Sequence, residues 1–248
     1  MEDHIEQVDR TLSRNGIKQF LIRIDLASDC KISLELLANT LAPQFKGLIK
    51  QVIPNINVNL DAAEVKKEDL IHYIITVDTG IAIKLDPTKN SIIFESNHYT
   101  NNLIYKTHID TIIESLRAIS NNDSINATRI GMRYINYFTL SKPQQIKNVF
   151  QTNHARSIET SLHKPNISRC VNVEEFTTGS YQIRVQYGIP NSYYPKVITT
   201  HDLLLDIDVY HIGQQNIADW TNSIKEYNHA AYQMFDSYIK ESYKESLK

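Results

Sequence analysis

"YIITVDTGI" at Tyr73–Ile81 and "YQIRVQYGI" at Tyr181–Ile189 share the pattern Y-x-I-x-V-x-x-G-I, 108 residues apart. Both lie in β-rich runs, where apolar side chains at every second position mark a strand with one buried face. Other elements fall into step at nearly the same offset. "LIRID" around Arg23 matches "GMRYIN" around Arg133 at 110 residues, "IIFES" matches "LLLDI", and the helix after Ser96 matches the helix after Gly213. Short strand patterns coincide by chance, but an ordered series at one offset points to a duplication. Each half runs strand, helix, three or four strands, helix. Alone, a half has too few strands and an exposed sheet face, so the two should share a sheet or pack their helices together.

The expected fold class is therefore α+β: two pseudo-repeats of β-α-β(3–4)-α sharing a mixed or antiparallel sheet, with a long C-terminal helix. The chain divides into a lead-in at 1–16, a first repeat at 17–122 and a second at 123–248, within one integrated domain. This arrangement is similar to the duplicated saddle of the TATA-binding protein and more loosely to sliding-clamp domains, a likeness of topology that carries no function.

Local signals place the elements. "KQFLIRIDLA" alternates as a strand, and "SDCKISLELLANTLAPQF" switches to helical period, with Ser28 or Asp29 to cap it and Pro43 to limit its end. Pro54 keeps "LIKQVIPNINVNL" out of a central sheet position. "LIYKTHIDTIIESLRAIS" is an amphipathic helix. "SKPQQIKNVF" reads as a short helix with Pro143 in its first turn, followed by a polar segment over 151–166. The last helix starts near Asn216, its cap, and carries a stripe from Ile217 and Trp220 to Tyr238.

"TRIGMRYINYF" (Thr128–Phe138) opens the second half and sets two arginines into an apolar strand. Alternation puts Arg129, Gly131, Arg133 and Ile135 on one face and Met132, Tyr134 and Asn136 on the other. In "DLLLDIDVY", Asp206 and Asp208 likewise share a face. Arg129, Arg133, Asp206 and Asp208 are the strongest candidate site. They could grip an anion or phosphate, or the carboxylates could hold a divalent metal. Cross-strand Arg–Asp pairing within one sheet is the structural alternative, because charges in a half-buried setting are normally paired. Arg129 has no counterpart in "QFLIRID", which makes it the better bearer of any role beyond the fold. Two carboxylates without a third ligand do not make a metal site. No acid-x-Lys pair of the nuclease type stands in the right order, and the nine histidines show no i, i+4 ligand pair. No nucleophile elbow, phosphate loop or dinucleotide fingerprint occurs. Neither a metal nor a cofactor is expected.

At "RIGMRYINYF" together with "LLLDIDVY", the chain resembles a sporadically distributed family of uncharacterised bacterial proteins of about this length. That family is marked by an Arg-x-Gly-x-Arg-Tyr-Ile-Asn strand and a Leu-x-Asp-x-Asp strand. The match runs from "FLIRIDL" to the last helix. In "NHYTNNLIY", Leu103 or Ile104 stands near the place of the family's tryptophan. The resemblance implies a compact α+β protein and no activity. Patchy distribution is typical of mobile or defence-associated genes, which suggests a phage-defence or toxin–antitoxin-like operon.

The remaining composition is permissive. A chain of 248 residues with 42% hydrophobic content can fill a sizeable core, and a net charge of −2 lacks the basic excess of a nucleic-acid binder. Cys30 and Cys170 have no CxxC spacing, so neither disulfides nor zinc are indicated. Apolar runs are short and the N-terminus lacks a signal pattern, which makes a cytoplasmic protein without a membrane segment the expectation. The segment "GIPNSYYPKV", with Tyr187 just before it, gathers Tyr187, Tyr193 and Tyr194 near two prolines. A stiffened aromatic loop of this kind makes a contact surface at low entropic cost, and a hairpin connection packed on its own sheet is the alternative. Three functions follow in order: a non-enzymatic binding or regulatory module with a protein partner or a homodimeric state, an anion- or nucleotide-binding sensor or enzyme using the Arg/Asp cluster, and a nucleic-acid binder.

Overall fold

The computed structural model describes residues 16–59, 64–99, 102–120, 124–140, 145–199 and 202–247. Of the expected lead-in only Gly16 is among them, and Pro143 lies outside them. Nine strands form one antiparallel sheet. In chain order they are β1 (Ile17–Leu26), β2 (Gly47–Asn59), β3 (Glu64–Asp78), β4 (Ile81–Asp86), β5 (Ser91–Ser96), β6 (Asn126–Thr139), β7 (Cys170–Thr178), β8 (Tyr181–Ile189) and β9 (Asp202–Asn216). Their order across the sheet is β2-β3-β4-β5-β1-β6-β9-β8-β7. Six α-helices occur among the described residues: α1 (Leu34–Leu41), α2 (Asn102–Ser120), α3 (Ile146–Val149), α4 (Thr152–Leu162), α5 (Trp220–Tyr238) and α6 (Glu241–Glu245). The α+β class, the antiparallel sheet and the long C-terminal helix match the expectation.

Side-chain period fixes which face is dry. In β1, Phe20, Ile22, Ile24 and Leu26 are buried while Arg23 and Asp25 point the other way. Their neighbours across the ladder, Phe94 and Ile92 on β5 and Met132 and Ile130 on β6, are buried with them. The helices pack on this face. Tyr105 of α2 lies against Phe20 and Phe94, Asn228 of α5 accepts from the Tyr134 hydroxyl at 2.7 Å, and Ser157 of α4 donates to Asn172 of β7. An antiparallel sheet tolerates water on its second face, because alternation supplies polar side chains there.

Several local expectations are corrected. α1 is capped by Ser33, whose hydroxyl accepts from the Leu36 amide at 3.2 Å, and not by Ser28 or Asp29. Pro43 sits in a 3-10 turn (Ala42–Gln44) that ends the helix, as its missing N–H allows. The polar segment 151–166 contains α4, which buries only Ala155 and Ile158 and has no side-chain cap, so polar residues dominate it in the sequence. Asn216 caps a 3-10 turn (Ile217–Asp219) that leads into α5, accepting from the Ala218 amide at 2.8 Å, while α5 itself starts at Trp220 without a side-chain cap. β2, with Pro54, is an edge strand.

The two Y-x-I-x-V segments do not occupy equivalent places. Tyr73–Asp78 ends β3, which is separated from β5 by β4, whereas Tyr181–Ile189 is the whole of β8 and pairs directly with β9. Gly80 forms a hairpin turn at φ 74°. Gly188 lies inside a strand at φ 139°, where a Cβ would come within 2.1 Å of the Cys170 carbonyl oxygen. The shared pattern is that of a half-buried strand, which any strand of this sheet can carry.

Candidate functional site on the uncovered sheet face

A β-bulge sets up the site. In β6, register shifts on both sides between Ala127 and Arg129 turn the strand over at Thr128. Ala127 is buried, while Arg129, Gly131, Arg133 and Ile135 line the face on which no helix of the described residues packs. β9 presents Leu204, Asp206, Asp208 and Tyr210 to the same face, directly across from Tyr137, Ile135, Arg133 and Gly131. The structure thus brings all four charged candidates together.

The ion pairs run diagonally. Arg133 donates through Nε and Nη2 to the two carboxylate oxygens of Asp206, at 2.8 and 2.6 Å, in a bidentate fork. Gln186 of β8 adds a donor to the same carboxylate at 3.3 Å. Asp206 is only 4% exposed, so these donors replace its water. Arg129 reaches further, past Gly131, and donates to Asp208 at 2.9 Å with its guanidinium 3.9 Å above the Tyr210 ring. Gly131 makes this crossing possible: a Cβ there would stand 2.9 Å from Cβ of Tyr210 and 3.6 Å from Nε of Arg129. The R-x-G-x-R spacing is thereby explained by geometry, two cations on one face with room between them.

The rest of the motif serves the other face. Tyr134 ties β6 to α5 through Asn228, and buried Asn136 donates to the Leu205 carbonyl at 3.1 Å, fixing β6 on β9. Burial pushes the Tyr134 hydroxyl well above its ordinary range. Burial also raises the Asp208 carboxyl, against the pull of Arg129 and Arg133, while the bond to Asp206 raises the Arg133 guanidinium further. The cluster thus sets two guanidinium groups against two carboxyl groups in direct contact. Arg23 is matched by Asp25 at 2.8 Å, Lys84 by Glu95 at 2.7 Å and Arg184 by Glu175 at 3.5 Å on the same face.

The tyrosines separate. Tyr193 and Tyr194 are exposed in the loop that follows β8, at 57% and 54%. Tyr187 does not join them: it faces the core in β8, where its hydroxyl donates to Glu174 at 2.9 Å. Glu174 also accepts from the Tyr238 hydroxyl at the end of α5, and His154 of α4 stacks on Tyr238 with ring centroids 4.1 Å apart. Burial, reinforced by the Glu174 carboxylate, pushes Tyr187 up to about 12 and Tyr238 higher still, and burial lowers His154. The arrangement locks the end of α5 onto the β7–β8 hairpin. It draws on four separate elements with no common spacing, so no sequence signal announced it.

Two clefts, of about 310 and 270 Å³, lie beside α1 and near Cys30, away from Arg129 and Asp206. Burial raises the Cys30 thiol, which disfavours a reactive thiolate. Among the described residues no group of three or more His, Cys, Asp or Glu stands close enough to hold a metal ion, and no helix is long and apolar enough to cross a membrane. Comparison of the chain with protein-family models, with curated proteins and with solved structures finds no match.

Proposed function

We propose that the protein is a non-enzymatic binding or regulatory module acting through a protein partner, either a second copy of itself or the product of a neighbouring gene in a defence-type operon. The observation that carries this reading is the mutual pairing of charges on the sheet face that no described helix covers. Arg133 with Asp206, Arg129 with Asp208 and Arg23 with Asp25 are held within 3 Å of one another. A catalytic base or a phosphate-binding cation has to be free to meet its substrate, and these are committed to each other. Light scattering on the purified chain, with affinity capture of neighbouring gene products, tests the reading. A dimer mass or a co-eluting partner is expected, and a monomer that retains nothing counts against it.

An internal duplication on a saddle-like plan belongs to the same proposal. Read outward from the β1–β6 pair, β1-β5-β4-β3-β2 on one side is echoed by β6-β9-β8-β7 on the other. Ile22 pairs with Met132, 110 residues on, which is also the spacing of Arg23 and Arg133. A two-fold axis through that pair would exchange Leu21↔Arg133 with Arg23↔Gly131, both of which are present. Hairpins β3–β4 and β7–β8 each close with two residues, Thr79-Gly80 and Gly179-Ser180. On this alignment β8 corresponds to β4, and the second half lacks the outermost strand.

A small anion such as a nucleotide is the second reading, favoured by one observation: Nε of Arg129 is buried without an acceptor among the described residues. Thermal shifts across a nucleotide panel decide it. A rise of several degrees that Arg129→Ala abolishes would support an anion site, and no shift would leave Arg129 to Asp208 and Tyr210.

A further inference from the structure

The connection from β8 to β9 is clasped to the segment between α4 and β7. Asn191, itself buried, donates through its amide to the carbonyls of Ser168 and Lys196 at 2.8 and 2.7 Å and accepts from the Tyr193 amide at 3.2 Å. Its backbone sits at φ 56°, a conformation that asparagine tolerates better than most residues. Ile198 donates to the Ile167 carbonyl at 3.0 Å, and Arg169 donates to the Pro190 carbonyl at 3.2 Å. The fold thus holds an irregular segment in one shape, yet leaves its aromatic side chains in water. Tyr193, Tyr194 and Val197 are three of the ten large apolar side chains exposed among the described residues, and they fall within five positions of one another. Ile49, Val52 and Ile53 of β2 are grouped as closely along the chain, but they lie in a regular edge strand, whereas Tyr193, Tyr194 and Val197 stand in an irregular connection.

Charge selects the kind of occupant. Residues 163–169 and 190–199 contain Lys164, Arg169 and Lys196, and no Asp or Glu. All three cations are exposed, and Arg169 lies over the Tyr194 ring at 4.2 Å. This is a local basic and aromatic surface on a chain whose net charge is −2. It differs from the sheet face, where each arginine named above faces a carboxylate.

We propose that loops 163–169 and 190–199 form a preorganised platform that docks an acidic segment of a partner protein. Tyr193 and Tyr194 supply contact area with few rotamers to freeze, and the three cations meet the carboxylates. The inference rests on the partner-binding reading and names the surface and its chemistry. Rigid loops of this kind favour a short extended segment, since the platform does not have to reorganise to receive it.

Selection from a random dodecamer phage library on the full chain, with counter-selection on the Tyr193→Ala/Tyr194→Ala protein, tests it. Enriched peptides rich in Asp and Glu are expected. Their affinity should fall at least about tenfold in that variant and in Arg169→Gln/Lys196→Gln, and should weaken as salt rises. All four positions are exposed, and circular dichroism verifies that both variants keep the fold. Peptides enriched without acidic residues, or acidic peptides that bind both variants as well as wild type, overturn the proposal. So does a labelled oligothymidylate that binds the platform more tightly than any selected peptide, which would assign the surface to nucleic acid. If a gene-neighbour partner is retained equally by wild type and the tyrosine variant while no acidic consensus emerges, the platform fails and the partner reading stands.

Discussion

Asp206→Ala removes the acceptor of three hydrogen bonds, two from Arg133 and one from Gln186. A hydrogen bond to a charged group contributes about 1.5–3 kcal/mol, so the fork alone is worth about 3–6 kcal/mol as an upper bound. The two partners are unequally buried, with Asp206 4% exposed and Arg133 39%. After the loss, water can reach Arg133, and part of the cost is recovered. The expected destabilisation is therefore about 3 kcal/mol, at the lower end of that for breaking a buried pair. For a chain of this size that lowers Tm by about 6–12 °C. A double-mutant cycle with Arg133→Met and Asp206→Leu isolates the pair. If the cluster is architectural, the double variant loses much less than the sum of the single changes, with a coupling of at least about 1.5 kcal/mol. Urea denaturation monitored by fluorescence and by circular dichroism gives these numbers. Single variants that each lose under about 0.5 kcal/mol, or strictly additive effects, would refute the argument and free the arginine for another role.

Gly131→Ala forces Cβ to within 2.9 Å of Cβ of Tyr210, so equilibrium unfolding should show a loss of about 1–2 kcal/mol, and Tyr210→Ala in the same chain, which keeps the opposing Cβ, should not relieve it. Glu174→Leu deprives two buried phenols, Tyr187 and Tyr238, of their acceptor, and equilibrium unfolding should show a loss of about 2–4 kcal/mol. Tyr187 carries a pH signature: its folded value is raised to about 12 from an ordinary 10. The unfolded chain therefore releases its proton first, and the stability linked to Tyr187 is complete below pH 10 and lost as pH climbs towards 12. Tyr187→Phe should flatten that alkaline limb, and an unchanged slope between pH 10 and 12 would contradict the linkage.

Much of the strand architecture was legible because it depends on a period of two. Phe20, Ile22 and Ile24 against Arg23 and Asp25, or Met132 and Tyr134 against Arg129 and Arg133, declare their faces from the chain alone, since alternation is a property of the extended backbone. Edge placement of β2 followed from Pro54 for an equally local reason. α4 was read as a polar segment because few of its residues are apolar, although Ala155, Ile158 and Leu162 do stand at helical spacing. The Y-x-I-x-V match misled over register for the converse reason: a pattern that specifies one buried face cannot tell one strand of a sheet from another.

The candidate site divides along the same line. Read along the chain alone, Arg129 and Arg133 share a face, Asp206 and Asp208 share one, and tyrosines gather at 193 and 194. That Arg133 pairs with Asp206 and Arg129 with Asp208, more than 70 residues apart in the chain, follows from how β6 and β9 meet in the fold. The fold also took Tyr187 out of the exposed loop and gave it to Glu174. The difference is one of range. Alternation and capping are settled within a few residues of backbone, whereas the partner of a charge or a phenol depends on strand register and helix docking, which no local pattern carries.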